Sequence, residues 1–227
     1  WLRVRAASAG AVRRIGTFEK LTRDEDGVSI LHFEAREHQQ RGGGKPAMVK
    51  ARTIIGADGA KSQVGRQGGV TGAAETQYVF AYHEIVKAPA VKPAGYDDTR
   101  CDVYYQGKLS PDFYGWVFPH GDTLSIGTGS ADKGFSLRNA VGELRNASGL
   151  GNSEVLRREG APLPMKPLKK WDNGRDVVLA GDAAGVVAPA SGEGIYYAMY
   201  SGELAAYAVE KVLHTGDAKN LQMARKQ

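Results

Sequence analysis

Apolar and β-forming residues cluster over 18–23, 28–37 and 48–56, with Asp24-Glu-Asp-Gly27 and Gly42-Gly-Gly44 between them. Stretches rich in β-formers between a hairpin-turn composition and a looser one predict a β-meander. Its last strand, Val49-Lys-Ala-Arg-Thr-Ile-Ile, ends in a buried pattern and runs into Gly56-Ala-Asp-Gly59. A short helix over 61–67 then stops at Gly68-Gly69, and the opening 1–8 reads as the tail of a helix ended by Gly10. From 78 to 164 the texture is mainly β, with strands over 78–87, 102–106, 115–118 and 123–127 and one helix over 136–147. Pro162, Pro164 and Pro167 lead out of this region. The continuous apolar run of 176–182, closing on Gly181-Asp182, has the pattern of a central parallel strand. A long helix over 192–214 follows, with Ile195, Met199, Gly202, Ala206, Val209 and Leu213 on one face. Gly202 on that face permits close approach of another element. The predicted class is α/β (α+β). Segments 1–76 and 165–227 form one domain, and 77–164 form an antiparallel sheet domain.

Composition narrows the functional classes. Hydrophobic residues make up 42% and charged residues 24%, the balance of a globular domain with a sizeable core. No apolar run reaches about 18 residues, so no membrane-spanning helix is predicted. The net charge of +5 is spread along the chain. It fits a solvated surface, or a preference for phosphates or an acidic membrane face. No basic run interleaves with aromatics, so nucleic acid is not an expected partner. The single cysteine, Cys101, cannot form an internal disulfide, which fits a reducing compartment; its alternating surroundings predict a small buried hydrophobe. His32, His38, His83, His120 and His214 show no metal-ligand spacing and read as surface or structural residues, so no metal is expected. The chain opens on Trp, shows no signal peptide and ends without a helix-stop signal, the pattern expected of a fragment cut at both ends.

Three motifs carry chemistry. Gly56-Ala-Asp58-Gly59-Ala-Lys-Ser62 follows a buried strand, where glycines let backbone N–H groups approach a ligand and Asp58 accepts hydrogen bonds. Ala60 rather than Gly precedes Lys61, so this is not a P-loop. Gly181-Asp182 puts a carboxylate at a parallel strand's carboxyl end, the general nucleotide position in open α/β sheets. Pro189-Ala-Ser191-Gly192-Glu193-Gly194 opens the long helix, with Ser191 as a candidate N-cap and N–H groups at the positive end of the dipole. In the middle region, Ser110-Pro-Asp-Phe-Tyr114-Gly-Trp116-Val-Phe118-Pro119 precedes Gly127-Thr-Gly129. In a strand, Tyr114, Trp116 and Phe118 share a face and make an apolar wall; from pattern alone a sandwich core is the commoner meaning.

In this order and separation the motifs resemble those of FAD-dependent flavoproteins shared by aromatic hydroxylases and geranylgeranyl reductases. The aromatic motif and Ala-Ser-Gly-Glu-Gly-Ile-Tyr-Tyr are most similar to the geranylgeranyl reductases of chlorophyll and bacteriochlorophyll synthesis. The resemblance implies FAD contacts at Gly56, Asp58, Gly59, Ser62, Gly181, Asp182, Gly192 and Gly194. It implies a lipid pocket at Tyr114, Trp116, Phe118, Pro119, Gly127 and Gly129. The implied reaction is NADPH-driven reduction of geranylgeranyl C=C bonds to phytyl, on the free diphosphate or on the pigment. The implied location is cytoplasmic, at the surface of the photosynthetic membrane. The family's first βαβ unit with its Gly-x-Gly-x-x-Gly loop is absent from this chain. No catalytic residue is assigned; Tyr114, Tyr196, Tyr197, Glu193 and a bound water stay open as the proton source. A flavin hydroxylase and a non-catalytic prenyl carrier on the same fold are the alternatives.

Overall fold

The computed structural model describes residues 1–37, 43–188 and 191–226. His38, Gly42 and Pro189, singled out above, lie outside the described residues. The chain divides into two compact units.

The first unit comprises Trp1–Ala74, Leu168–Ala184 and Ala198–Gln227. Helix α1 (Leu2–Ser8) is exposed throughout. The meander follows as β1 (Gly16–Arg23), β2 (Ser29–Ala35) and β3 (Lys45–Ala51), paired antiparallel in that order. Its first turn closes on Asp24 and Val28, with Gly27 at φ +77°. The stretch expected as one strand over 48–56 is two. β3 stays in the meander, while β4 (Ile54–Gly56) leaves it and pairs parallel with β10 (Val177–Leu179). No Gly, Pro or turn residue between Val49 and Ile55 marks the change of sheet at Arg52-Thr53. Val177, Val178 and Leu179 are wholly buried, as a parallel strand covered on both faces requires. Between them come α2 (Gln63–Gln67), whose N-cap is Ser62, and the turn that ends it at Gly69, φ +77°.

The second unit comprises Glu75–Pro167 and Gly185–Tyr197. Gly185–Tyr197, read from the sequence with the 165–227 segment, thus groups with the antiparallel sheet. That sheet has the order β6-β7-β8-β5-β9, with β5 Tyr78–Lys87, β6 Asp102–Tyr104, β7 Gly115–His120, β8 Thr123–Ser130 and β9 Val155–Pro164. β9 has no counterpart among the sequence-derived strands, because two prolines and a charged run mask it. Pro162 and Pro164 are tolerated since β9 is an edge strand and pairs only with β5. Helix α3 (Leu137–Ala147), capped by Ser136, covers one face of the sheet. Val86, Leu109, Val117, Leu124, Ile126, Val141, Leu144 and Leu150 fill the core beneath it. Glu84 is buried on this face among Arg145 (2.8 Å), Arg158 (3.1 Å) and the Tyr82 hydroxyl (2.9 Å). Burial pushes its carboxyl up, but the hydrogen bonds from Tyr82 and Arg158 and the Arg145 charge outweigh that and hold it below the usual range. Cys101, expected to be buried, is exposed, because it flanks the short edge strand β6.

Helix α4 (Ile195–Thr215) begins three residues later than the glycines suggested, and its first turn belongs to the second unit. The expected apolar face is not the buried one. Ile195, Met199 and Leu213 are exposed, and a Cβ built on Gly202 meets nothing within 4 Å. The buried stripe is Ser201, Leu204, Ala205, Ala208 and Val212. Small residues make this seam, so hydrophobicity alone points to the wrong side. Among the described residues no helix is long and apolar enough to cross a membrane.

Candidate functional site

In the first unit two of the sequence motifs, Gly56–Ser62 and Gly181-Asp182, follow the carboxyl ends of the paired strands β4 and β10. After β4, the Asp58 carboxylate accepts from Ser62 Oγ (2.5 Å), Gln63 N–H (2.7 Å) and Val64 N–H (3.0 Å). Ser62 Oγ accepts in turn from Gly65 N–H (2.8 Å). Asp58 and Ser62 therefore spend their oxygens on the first turn of α2 and hold the loop in shape. Gly59 takes φ +85°, and Gly56 is packed so closely that a Cβ would lie 2.6 Å from Leu179.

After β10 the chain turns through a 3-10 segment, Gly181–Ala184. Gly181 (φ +58°) donates its N–H to Ser201 Oγ (2.9 Å), and a Cβ there would crowd Ala198. Gly181, Ala183 and Ala184 are buried, while Asp182 is half-buried. No described residue donates a hydrogen bond to the Asp182 carboxylate. Burial accordingly pushes it above the usual carboxylate range, with nothing opposing. An unsatisfied, partly desolvated carboxylate at this position suits a ligand that brings hydroxyl donors.

The second unit holds a groove of about 820 Å³ on the sheet face opposite α3, within the usual size of a small-molecule site. Tyr114, Trp116 and Phe118 line it together, their ring centroids 5.9 and 6.2 Å apart in sequence. Phe113 stacks on Tyr114 at 4.3 Å and extends the wall. The preceding turn is pinned to β8. Ser110 Oγ donates to Gly129 O (2.7 Å) and accepts from Phe113 N–H (2.7 Å), while Asp112 accepts from Ser130 Oγ (2.7 Å). Gly127 is the seat of the Trp116 ring: a Cβ there would fall 2.2 Å from Trp116 Cζ2. A Cβ at Gly129 would meet Val79 and Phe113. These glycines shape the wall from beneath, and Pro119 does not line the groove.

Gly192 (φ +67°) lines the same groove, where a Cβ would press on Phe113 at 3.1 Å; Gly194 is half-buried beside it in sequence. Ser191 is not the N-cap of α4. Its Oγ accepts from Glu193 N–H (3.3 Å), and the Glu193 carboxylate instead accepts from Tyr196 N–H (3.0 Å). The Tyr114 hydroxyl donates to the Ser191 carbonyl. Burial, with a smaller contribution from Tyr105, pushes the Tyr114 phenol up, so it stays protonated.

Sequence reasoning missed the polar residues of the groove. His83, read as surface or structural, is on its floor with Ser125 and Glu159. These three come from β5, β8 and β9, and only the register across strands brings them together. Among the described residues no group of His, Cys, Asp and Glu could hold a metal ion.

Comparison with known proteins bears on both regions. The FAD binding domain family matches residues 2–226. A geranylgeranyl diphosphate reductase from Rhodobacter capsulatus is 51% identical over 99% of this chain and 55% of its own length. The chloroplastic geranylgeranyl diphosphate reductase of rice, Oryza sativa subsp. japonica, is 36% identical over 92% of this chain and 45% of its own. A geranylgeranyl bacteriochlorophyll reductase-like protein from Thermoplasma acidophilum has the same fold, with TM-score 0.80 at 24% identity over 99% of this chain and 55% of that one. An anhydrotetracycline hydroxylase from Streptomyces rimosus aligns with TM-score 0.65 at 20% identity, covering 98% of this chain and 43% of that one. The chain thus spans about half the length of the curated relatives it matches. Matched across nearly its whole length, it belongs to the FAD binding domain family.

Proposed function

We propose that the protein carrying this chain reduces geranylgeranyl C=C bonds to phytyl, with FAD as cofactor and NADPH as the ultimate reductant. The aromatic groove carries this reading. Tyr114, Trp116, Phe118 and Phe113 offer a long apolar surface with few polar groups, suited to an isoprenoid chain and poorly suited to a polar aromatic ring. Each buried methylene contributes about 0.8 kcal/mol, so chain length decides affinity. Bound FAD supplies the hydride.

What this chain contributes is position and dryness. Asp182, lacking a protein donor, would accept the hydroxyls of FAD, with Gly181 giving the backbone its approach. Gly56, Asp58, Gly59 and Ser62 would keep the neighbouring loop in shape beside the cofactor. Gly192 and Gly194 leave the backbone bare where the flavin ring would approach. Tyr114, Trp116 and Phe118 would hold the prenyl chain extended and exclude water, with Gly127 and Gly129 setting the wall and Pro119 ending its strand. The expected site of action is the cytoplasmic surface of a photosynthetic membrane, where a lipid or pigment substrate resides.

The test supplies full-length protein with NADPH and either geranylgeranyl diphosphate or geranylgeranyl bacteriochlorophyll. Mass spectrometry should find products heavier by two, four and six hydrogens. Shortening the prenyl chain by one isoprene unit should weaken binding by at least about tenfold, since about 0.8 kcal/mol is lost per carbon. No hydrogen gain on either substrate would overturn the reading, and oxygen uptake coupled to product would replace it with a hydroxylase.

A further inference from the structure

One polar line crosses the otherwise apolar floor of the groove. His83 Nε2 lies 3.1 Å from Glu159 Oε2, His83 Nδ1 lies 2.8 Å from Ser125 Oγ, and Trp116 Nε1 donates to the same Ser125 oxygen at 3.0 Å. Arg157 pairs with the far oxygen of Glu159 at 2.7 Å, so the Glu159 carboxylate is fixed from both sides. The direction of each bond follows from donor and acceptor capacity. An ionised carboxylate only accepts, so Nε2 carries a proton towards Glu159. In the neutral ring Nδ1 is then an acceptor, and the Ser125 hydroxyl donates to it. Ser125 keeps a lone pair for the indole N–H, which can only donate. The line thereby satisfies the buried Ser125 hydroxyl, which unpaired would be costly, and runs out through half-buried His83 to the exposed Glu159 carboxylate.

The line terminates on the central ring of the aromatic wall. The indole of Trp116 overlies Gly127, where a Cβ would lie 2.2 Å from Trp116 Cζ2 and 2.6 Å from the His83 Cβ. The ring is therefore fixed twice, by the space above a glycine and by a bond at its edge. A Ser–His–Glu line suggests a hydrolytic triad, but the surroundings oppose that. Ser125 is mid-strand, paired with Ile85 on one side and Phe118 on the other, so its backbone offers no free N–H pair for an oxyanion. Its oxygen is also already bonded to Trp116.

We propose that His83 is a positioning residue for prenyl recognition: acting through Ser125, it locks the Trp116 indole over Gly127 and sets the width of the groove. This rests on the prenyl reading of the groove. An asparagine at 83 places a polar atom near the Nδ1 position and can keep the Ser125 bond. A glutamine reaches towards Glu159 and abandons Ser125.

The test uses full-length protein, with melting temperature as a check that each variant folds. The indole ¹⁵N–¹H resonance of Trp116 is identified by its loss in Trp116→Phe. In the absence of ligand, His83→Gln and Ser125→Ala should both move that resonance, and His83→Asn should return it most of the way. Affinity for geranylgeranyl diphosphate should fall about five- to tenfold in His83→Gln and recover to within about twofold in His83→Asn, the scale of one hydrogen bond. An unmoved resonance in Ser125→Ala, or identical behaviour of the Asn and Gln variants, would overturn the lock. Should wild type bind no geranylgeranyl diphosphate, the prenyl reading fails, while the ligand-free resonances still decide the lock.

Discussion

Strand β10 carries an aspartate just beyond each end, and the two live in opposite circumstances. At the amino end, Asp176 is buried and receives Arg23, Ser29 Oγ (2.7 Å) and Asn173 Nδ2 (3.0 Å). Burial pushes its carboxyl up, but the bonds from Arg23, Asn173 and Ser29 and the Arg23 charge outweigh that and hold it below the usual range. At the carboxyl end, Asp182 has no described donor, and burial alone pushes it up. One carboxylate is used up in joining the meander to the parallel pair, while the other keeps its oxygens free at the strand's carboxyl end, where we propose that the cofactor binds. The lesson is that the number of protein donors, more than depth of burial, decides which way a carboxyl group's pKa moves.

Removing the saturated acid should do the most damage. Asp176→Ala leaves Arg23 and Ser29 facing a hole, and breaking a buried pair costs about 3–5 kcal/mol. Chemical denaturation should show that loss, with a large fall in melting temperature. Asp182→Asn should do the reverse. FAD affinity should drop by roughly ten- to a hundredfold, the worth of about 1.5–3 kcal/mol for bonds to a charged group. The unliganded protein should melt no lower than wild type, because an uncompensated charge has been removed. Equal losses of stability in the two variants would erase the distinction.

Acid titration of unfolding sharpens it further. Asp176 has a lowered folded pKa, so its contribution is complete above the ordinary carboxylate value of about 3.9 and is lost as pH falls through the folded value. Asp182 has a raised folded pKa. Its penalty is absent below about 3.9 and grows as pH rises through the folded value. Asp176→Asn should therefore flatten the acid-side loss, and Asp182→Asn should remove a decline on the rising side. The smallest effect belongs to Ser62→Ala, which removes the α2 cap at about 1 kcal/mol. It should lower stability while changing FAD affinity less than Asp182→Asn does.

Much of this was legible in the sequence where local pattern and tertiary role agree. The run Val177-Val-Leu is apolar because it is covered on both faces, and Asp182 follows it in the segment beyond the strand's carboxyl end. The alternation of Tyr114, Trp116 and Phe118 put them on one face, and the structure has them there. Legibility failed where partners come from afar. Nothing near His83 announces Ser125 or Glu159, which are 42 and 76 residues away. It also failed where small residues do the packing, as in the Ser201, Ala205 and Ala208 seam of α4, and where prolines mask a strand, as in β9.

The two rims of the five-stranded sheet carry one more implication. β6 is only three residues long, and β9 ends in Pro162 and Pro164 after the paired charges Arg157 and Arg158. β6 is too short to offer a long ladder, while the ten-residue β9 blunts its outer edge with these prolines and charges. Both rims therefore discourage strand-to-strand zipping between crowded copies, even with a greasy trough on the sheet face between them.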